Sequence, residues 1–263
     1  MVSQNSWNNI VPNNDVQFQR TGAGVTQVTM SNHTDNTSAT SNAKHRSQVG
    51  GAAGGDAFVE AAVAATRAWA WGLDNTDSDS LKEVTAAAGS TDPSSGTLLR
   101  KMTTAGQQTM PLQPCFHAYL SANVPNATGA AASWILACDT ETVDQGSNYD
   151  NTTFTFTVPV NGNYLFAANV TFQNITVLMN RFALSLSKTN APTRSWQTNN
   201  INVGAVQNAA NAFASSSTWL VPLLAGDTIQ FAASIQDGAG NTATAVGISG
   251  TTEFTTVQGY LVC

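Results

Sequence analysis

Catalysis needs a nucleophile, a base or a set of metal ligands brought together, and the candidates here are three histidines, three cysteines and two acidic groups. His33, His45 and His117 fall in separate segments, and Cys115, Cys138 and Cys263 lack the short spacing of a metal site. Cys115 and His117 are the one thiol and imidazole close in sequence. Strand alternation is expected to turn neighbouring side chains to opposite faces, so no nucleophile–base contact is expected and His117 reads as structural. Asp74, Asp77 and Asp79 have a spacing that invites calcium, but they lack the glycine and downstream glutamate of an EF-hand loop and read as a polar turn. Asp139, Glu141 and Asp144 could do acid–base work. No basic or pocket-forming residues accompany them, and they read as a solvated loop. The expectation is no catalytic residue, no metal and no cofactor, hence not an enzyme.

Composition points the same way. Only 10% of the 263 residues are charged, against roughly 25% in ordinary soluble domains, while 42% are apolar. Solubility then rests on Asn, Thr, Ser and Gln, a composition that favours strands and turns. Few long charged side chains also favours self-association, because such side chains are costly to bury. A net charge of −6 without a basic stripe argues against nucleic acid as a partner. No apolar run approaches a membrane span, and Met1 to Trp7 has neither the basic nor the apolar part of a signal peptide, so no membrane partner is expected.

Four regions emerge along the chain. Residues 1–21 are Asn-rich with few apolar anchors and read as an extended N-terminal tail. Residues 22–110 read as short strands divided by Gly, Asn and Asp. Val25 to Met30 alternates with period two. Residues 57–70 are Ala-rich and open to helix or strand; the small–aromatic alternation of Ala68-Trp69-Ala70-Trp71 favours strand. Two more strands are expected at Leu81–Val84 and Thr97–Met102. Residues 111–114, bounded by Pro111 and Pro114, form a linker expected to be stiff and extended. Residues 115–263 carry strands near 115–120, 153–158, 163–172, 182–187, 219–224, 229–235 and 256–262, with Gly, Asn and Asp turns between them. That spacing indicates an antiparallel sandwich, and the fold class is all-β.

The C-terminal half is similar to the C1q/TNF-like family. The resemblance is carried by Pro114-Cys115-Phe116-His117-Ala118-Tyr119-Leu120, by Tyr149-Asp150, and by Phe154-Thr155-Phe156-Thr157-Val158-Pro159-Val160-Asn161-Gly162-Asn163-Tyr164-Leu165-Phe166. Leu223 to Ile229 and Val257-Gln258-Gly259-Tyr260-Leu261 continue it. The family implies a ten-stranded jelly roll and a homotrimer. By family topology, Tyr164, Phe166, Trp219, Val221 and Tyr260 are expected at the trimer interface, where burial contributes roughly 1.5–3 kcal/mol per side chain. The first and last strands should bring Cys115 near Cys263, with or without a bond. Cys138 should be a small buried hydrophobe.

Residues of the N-terminal half resemble a module of bacteriophage tail fibres and spikes. They are Val49-Gly50-Gly51, Gly55-Asp56, Trp71-Gly72-Leu73-Asp74-Asn75-Thr76-Asp77-Ser78-Asp79-Ser80 and Met102 to Pro111. That likeness implies an intertwined trimeric shaft and a place on the virion surface. Two roles fit it. One is a receptor-binding fibre or spike that attaches to a host surface glycan or protein through distal loops near 123–133, 174–180, 208–217 and 237–251, with Asp237, Asn241 and Thr242 as candidate contacts. The other is a capsid decoration protein, its tail holding other virion proteins.

Overall fold

The computed structural model describes residues 47, 49, 54–63, 66–87, 91–129, 131–199, 202–237, 246–250 and 253–262. The tail and Val25–Met30 lie outside these, as do His33, His45 and Cys263.

The first unit is an antiparallel meander built within one chain: β1 (Ala57–Val63), β2 (Arg67–Asp74), β3 (Ser80–Ala86), β4 (Thr97–Met102) and β5 (Gln108–Thr109), paired in that order. Strand therefore prevails over the helix propensity of the Ala-rich stretch. Ala68 and Ala70 are buried on one face of β2 while Trp69 and Trp71 stand on the other, and only a period of two produces that separation. Between β2 and β3 the acidic stretch is indeed a turn. The Asp74 carboxylate accepts from the Thr76 amide at 2.8 Å and the Asp77 amide at 3.1 Å, capping a short 3-10 turn over Asn75–Asp77. Lys82 bridges Asp74 and Asp77, and Lys101 reaches Asp77 at 2.6 Å. Asp74 is held below the usual carboxylate range: burial opposes ionisation, but Lys82 and the Thr76 donors outweigh it. Two of the three aspartates are thus satisfied by ammonium groups of their own sheet.

The linker is not extended. Residues 110–113 turn, with the Gln113 amide donating to Met110 O at 3.0 Å. The Gln145 side chain donates to Met110 O at 2.9 Å, and the Gln113 side chain to Leu261 O at 2.8 Å. Two glutamines therefore pin the linker to the second unit.

That unit is a sandwich of two antiparallel sheets. Its strands are β6 (Cys115–Tyr119), β7 (Val124–Thr128), β8 (Trp134–Ile135), β9 (Thr140–Gln145), β10 (Tyr149–Asp150), β11 (Thr155–Thr157), β12 (Gly162–Gln173) and β13 (Met179–Lys188). After β14 (Arg194–Asn199) and one turn of helix α1 (Val203–Val206) come β15 (Phe213–Leu223), β16 (Thr228–Asp237), β17 (Val246–Ile248) and β18 (Thr256–Leu261). One sheet runs β7-β17-β12-β18-β6-β9 with β15 also on β12; the other runs β10-β11-β16-β13-β14 with β8 on β16. This is the expected jelly roll, with thirteen strands rather than ten because short pieces such as β8, β10, β11 and β17 are separate strands. The strand expected from residue 153 starts at 155. Asp150 accepts from the Thr152 and Thr153 amides, and Phe154 turns through a left-handed φ of 56° before β11 begins.

The core is aromatic. Phe116 stacks on Tyr149 with centroids 4.8 Å apart and on Phe156 at 4.9 Å, while Phe166 meets Phe156 edge-on at 5.7 Å. Tyr149 is buried, and its hydroxyl donates to Cys138 O at 2.9 Å.

Candidate functional site

On β12 the even positions Tyr164, Phe166, Val170 and Phe172 are buried and the odd ones face outward, as period two dictates. Tyr164 and Phe166 are both 0% exposed, and Trp219 and Val221, their partners on β15, are buried beside them. Four of the five residues expected between subunits therefore fill the chain's own core, out of reach of a neighbour. On these strands the side chains available to a neighbour are the alternate ones. Tyr260 does face outward and is 47% exposed.

The outward positions form a continuous surface. Leu220, Leu165, Tyr260 and Cys115 lie side by side across β15, β12, β18 and β6. Thr218, Ala167, Gln258, His117 and Val143 form the next row and extend it to β9. None of these is Asp, Glu, Lys or Arg. Leu220 is 63% exposed although it sits in the middle of a long strand.

The catalytic candidates separate. Cys115 and His117 stand at i and i+2, so they share the outward face rather than opposing faces. The expected geometry was wrong, since only adjacent residues diverge. The His117 ring bonds Thr142 Oγ1 instead. Cys138 is buried, and burial pushes its thiol up to about 12, far from nucleophilic. Asp139 accepts from Ser121 N at 2.9 Å and from Ser121 Oγ at 2.7 Å, and Asp144 accepts from the Asn148 amide at 3.0 Å. Both staple loops. Glu141 is raised above its usual range by partial desolvation, then by Asp144 and Asp150. Among the described residues no three His, Cys, Asp or Glu side chains converge to hold a metal, and no helix is long and apolar enough to cross a membrane.

The linker, Leu261 and Gly162 gather at one end of the sandwich, so Gln173 and Phe213 mark the distal end. Asp237 closes β16 there, opposite Met179. Asn241 and Thr242 lie outside the described residues. β7 occupies Val124–Thr128, β13 begins at Met179, β15 begins at Phe213 and β17 occupies Val246–Ile248, which shortens all four of the expected loops. The sequence reading missed an aliphatic apex: Val177 is 76% exposed, with Leu178 and Val206 exposed as well. An adjacent pair before β13 and one residue at the end of the single-turn α1 give no periodic signal to find them by.

A buried ion pair was also missed. Lys188 Nζ lies 2.6 Å from Asp227 Oδ1, both side chains being almost wholly buried. Asp227 Oδ2 accepts from the Leu224 amide at 3.0 Å across the turn in which Gly226 takes φ 87°. Burial opposes ionisation of Asp227, but Lys188 and the Leu224 amide hold it below the usual carboxylate range.

Two closed sheets around an aromatic core, with one outer face left bare and uncharged, define a jelly-roll module. Residues 116–262, more than half of the chain, match the C1q domain, and the chain belongs to that family. Among solved structures it is similar to the globular domain of a zebrafish complement 1qA protein, with 18% identity, 57% of this chain and 98% of that one covered, and a TM-score of 0.39. Murine APRIL at pH 8.5 covers 57% of this chain and 99% of its own at 12% identity and a TM-score of 0.40. The Eiger TNF of S. frugiperda covers 57% and 93% at 14% identity and a TM-score of 0.38. No curated protein matches the chain.

Proposed function

We propose that the protein is a non-enzymatic homotrimer that works by binding, with a C1q head joined through a pinned linker to a smaller β-sheet unit. The observation that carries this is the bare face of the β9-β6-β18-β12-β15 sheet. Leu220 and Tyr260 flank Leu165 there with no charged residue among them, and burying the remaining exposed part of each of the two would contribute roughly 1 kcal/mol. C1q and TNF domains typically assemble as homotrimers, and this face is the one an axis needs. The interface residues are then Leu165, Leu220 and Tyr260, with Tyr164, Phe166, Trp219 and Val221 supporting them from beneath.

The trimer belongs on a virion surface as a bacteriophage fibre or spike, synthesised in the host cytoplasm, its head attaching to a host glycan or protein. The support is the likeness of residues 30–111 to tail-fibre modules, together with a distal end at which Val177, Leu178 and Val206 are exposed and the polar sequence 237–242 follows β16. The Asn-rich composition of residues 1–21 favours a second reading, a capsid decoration protein whose tail holds neighbouring virion proteins. Sedimentation of the full chain tests the assembly. The wild type should run as a trimer, and Leu220→Glu as a monomer with unchanged circular dichroism. A Leu220→Glu chain that stays trimeric sinks this interface. Density at the tail tip of the particle supports attachment, whereas regular density at capsid symmetry positions supports decoration.

A further inference from the structure

The N-terminal meander has sealed only one of its two faces. On one side Ala68, Ala70 and Val84 are buried and Lys82 gathers Asp74 and Asp77. On the other, Trp69 and Trp71 are each 47% exposed in the second of five strands, with Leu73 exposed next to them. The register continues this stripe: Leu73 faces Leu81 and then Met102, and Trp71 faces Glu83 and then Arg100. A shallow cavity of about 320 Å³ opens among Trp71, Leu81, Glu83, Arg100 and Met102. Half-exposed tryptophans side by side on a sheet mark a contact surface.

The charges on this face indicate the occupant. Glu83 Oε2 and Arg100 Nε lie 3.3 Å apart, both half-exposed, in the row of Trp71. A partner of a single sign would leave one of them opposed, whereas a second copy of this chain brings the same two charges and can exchange them. The linker supplies the proximity. Gln113 and Gln145 pin it to β18 and β9, two strands of the sheet assigned to the trimer axis. Three linkers therefore leave the heads close together, and each meander meets its copies at a high effective concentration.

We propose that the Trp69-Trp71-Leu73 faces of three copies close on one another below the heads, so that the stalk is made of packed single-chain sheets rather than exchanged strands. This rests on the trimeric reading above. Two measurements on the full chain test it. In the wild-type trimer, hydroxyl-radical footprinting should oxidise Trp69 and Trp71 at least about five-fold more slowly than in monomer obtained by dilution. The double variant Trp69→Lys with Trp71→Lys should keep its circular dichroism but dissociate at a concentration at least about ten-fold higher. A wild type that is monomeric at every concentration overturns both this and the trimeric reading. A trimer whose Trp69 and Trp71 are oxidised as fast as in the monomer, or whose dissociation is unmoved by the double variant, overturns this inference alone. So does a trimer whose Trp69 and Trp71 are protected only after a glycan is added, since they would then serve a saccharide instead.

Discussion

Gly259 shows how one missing Cβ sets a core. A Cβ there would stand 2.4 Å from Phe166 Cδ1 and 2.8 Å from Phe116 Cε1, so the two rings pack directly against the backbone of β18. Gly259→Ala should destabilise the protein by about 1–3 kcal/mol in urea denaturation. An unchanged midpoint would mean that the rings yield without cost. The position was legible in the closing Val257 to Leu261 motif, but its reason was not, because the rings it admits come from strands some 90 and 140 residues away. Tyr164 and Phe166 teach the converse. Alternation identified which residues share a face, and only the second sheet decided that this face points inward.

Among elements, the turn between β15 and β16 is held by charge as well as by Gly226. Asp227 draws Lys188 from the end of β13 and the Leu224 amide from its own turn, tying both strands at the base of the sandwich. Asp227→Asn should cost about 3 kcal/mol at pH 7, because it leaves the Lys188 ammonium buried without its counter-charge. The sign with pH follows from the direction of the shift. The folded value lies below the unfolded one of about 3.9, so the contribution is complete above pH 4 and fades as pH falls through the folded value. Chemical denaturation at pH 7 and in acid should show the gap between wild type and variant narrowing in acid. A gap that is constant with pH would remove Asp227 as the titrating group. The turn was readable from Leu223 to Ile229, whereas the pair was not, since nothing local links residue 188 to residue 227.

At the scale of the whole molecule, one end of the sandwich holds the linker, and the loops at the other end are the ones proposed to recognise a host surface. Replacing 237–242 with a short Gly-Ser loop should abolish attachment to the host surface and leave the proposed trimer intact by sedimentation, since β16 ends at Asp237, at the end of the sandwich away from the linker. Unchanged attachment would move recognition to the Val177, Leu178 and Val206 apex or elsewhere. In the proposed trimer, avidity would make such an assay sensitive, because three weak contacts on one head multiply.

The all-β class, the C1q signature and the strongly alternating strands were determined by the sequence alone, because period-two alternation and turn residues are local properties that survive in any context, whereas β7, the mostly polar β9 and β14 and the three-residue β17 were not. Strand prevailed in Ala57 to Asp74 for the same reason. Which side of β12 and β15 is core, which acids are taken by lysines, and how the linker folds onto β9 and β18 were decided only in three dimensions. Each depends on contacts between residues far apart in the chain, and alternation states that two faces differ without stating which one the second sheet will cover.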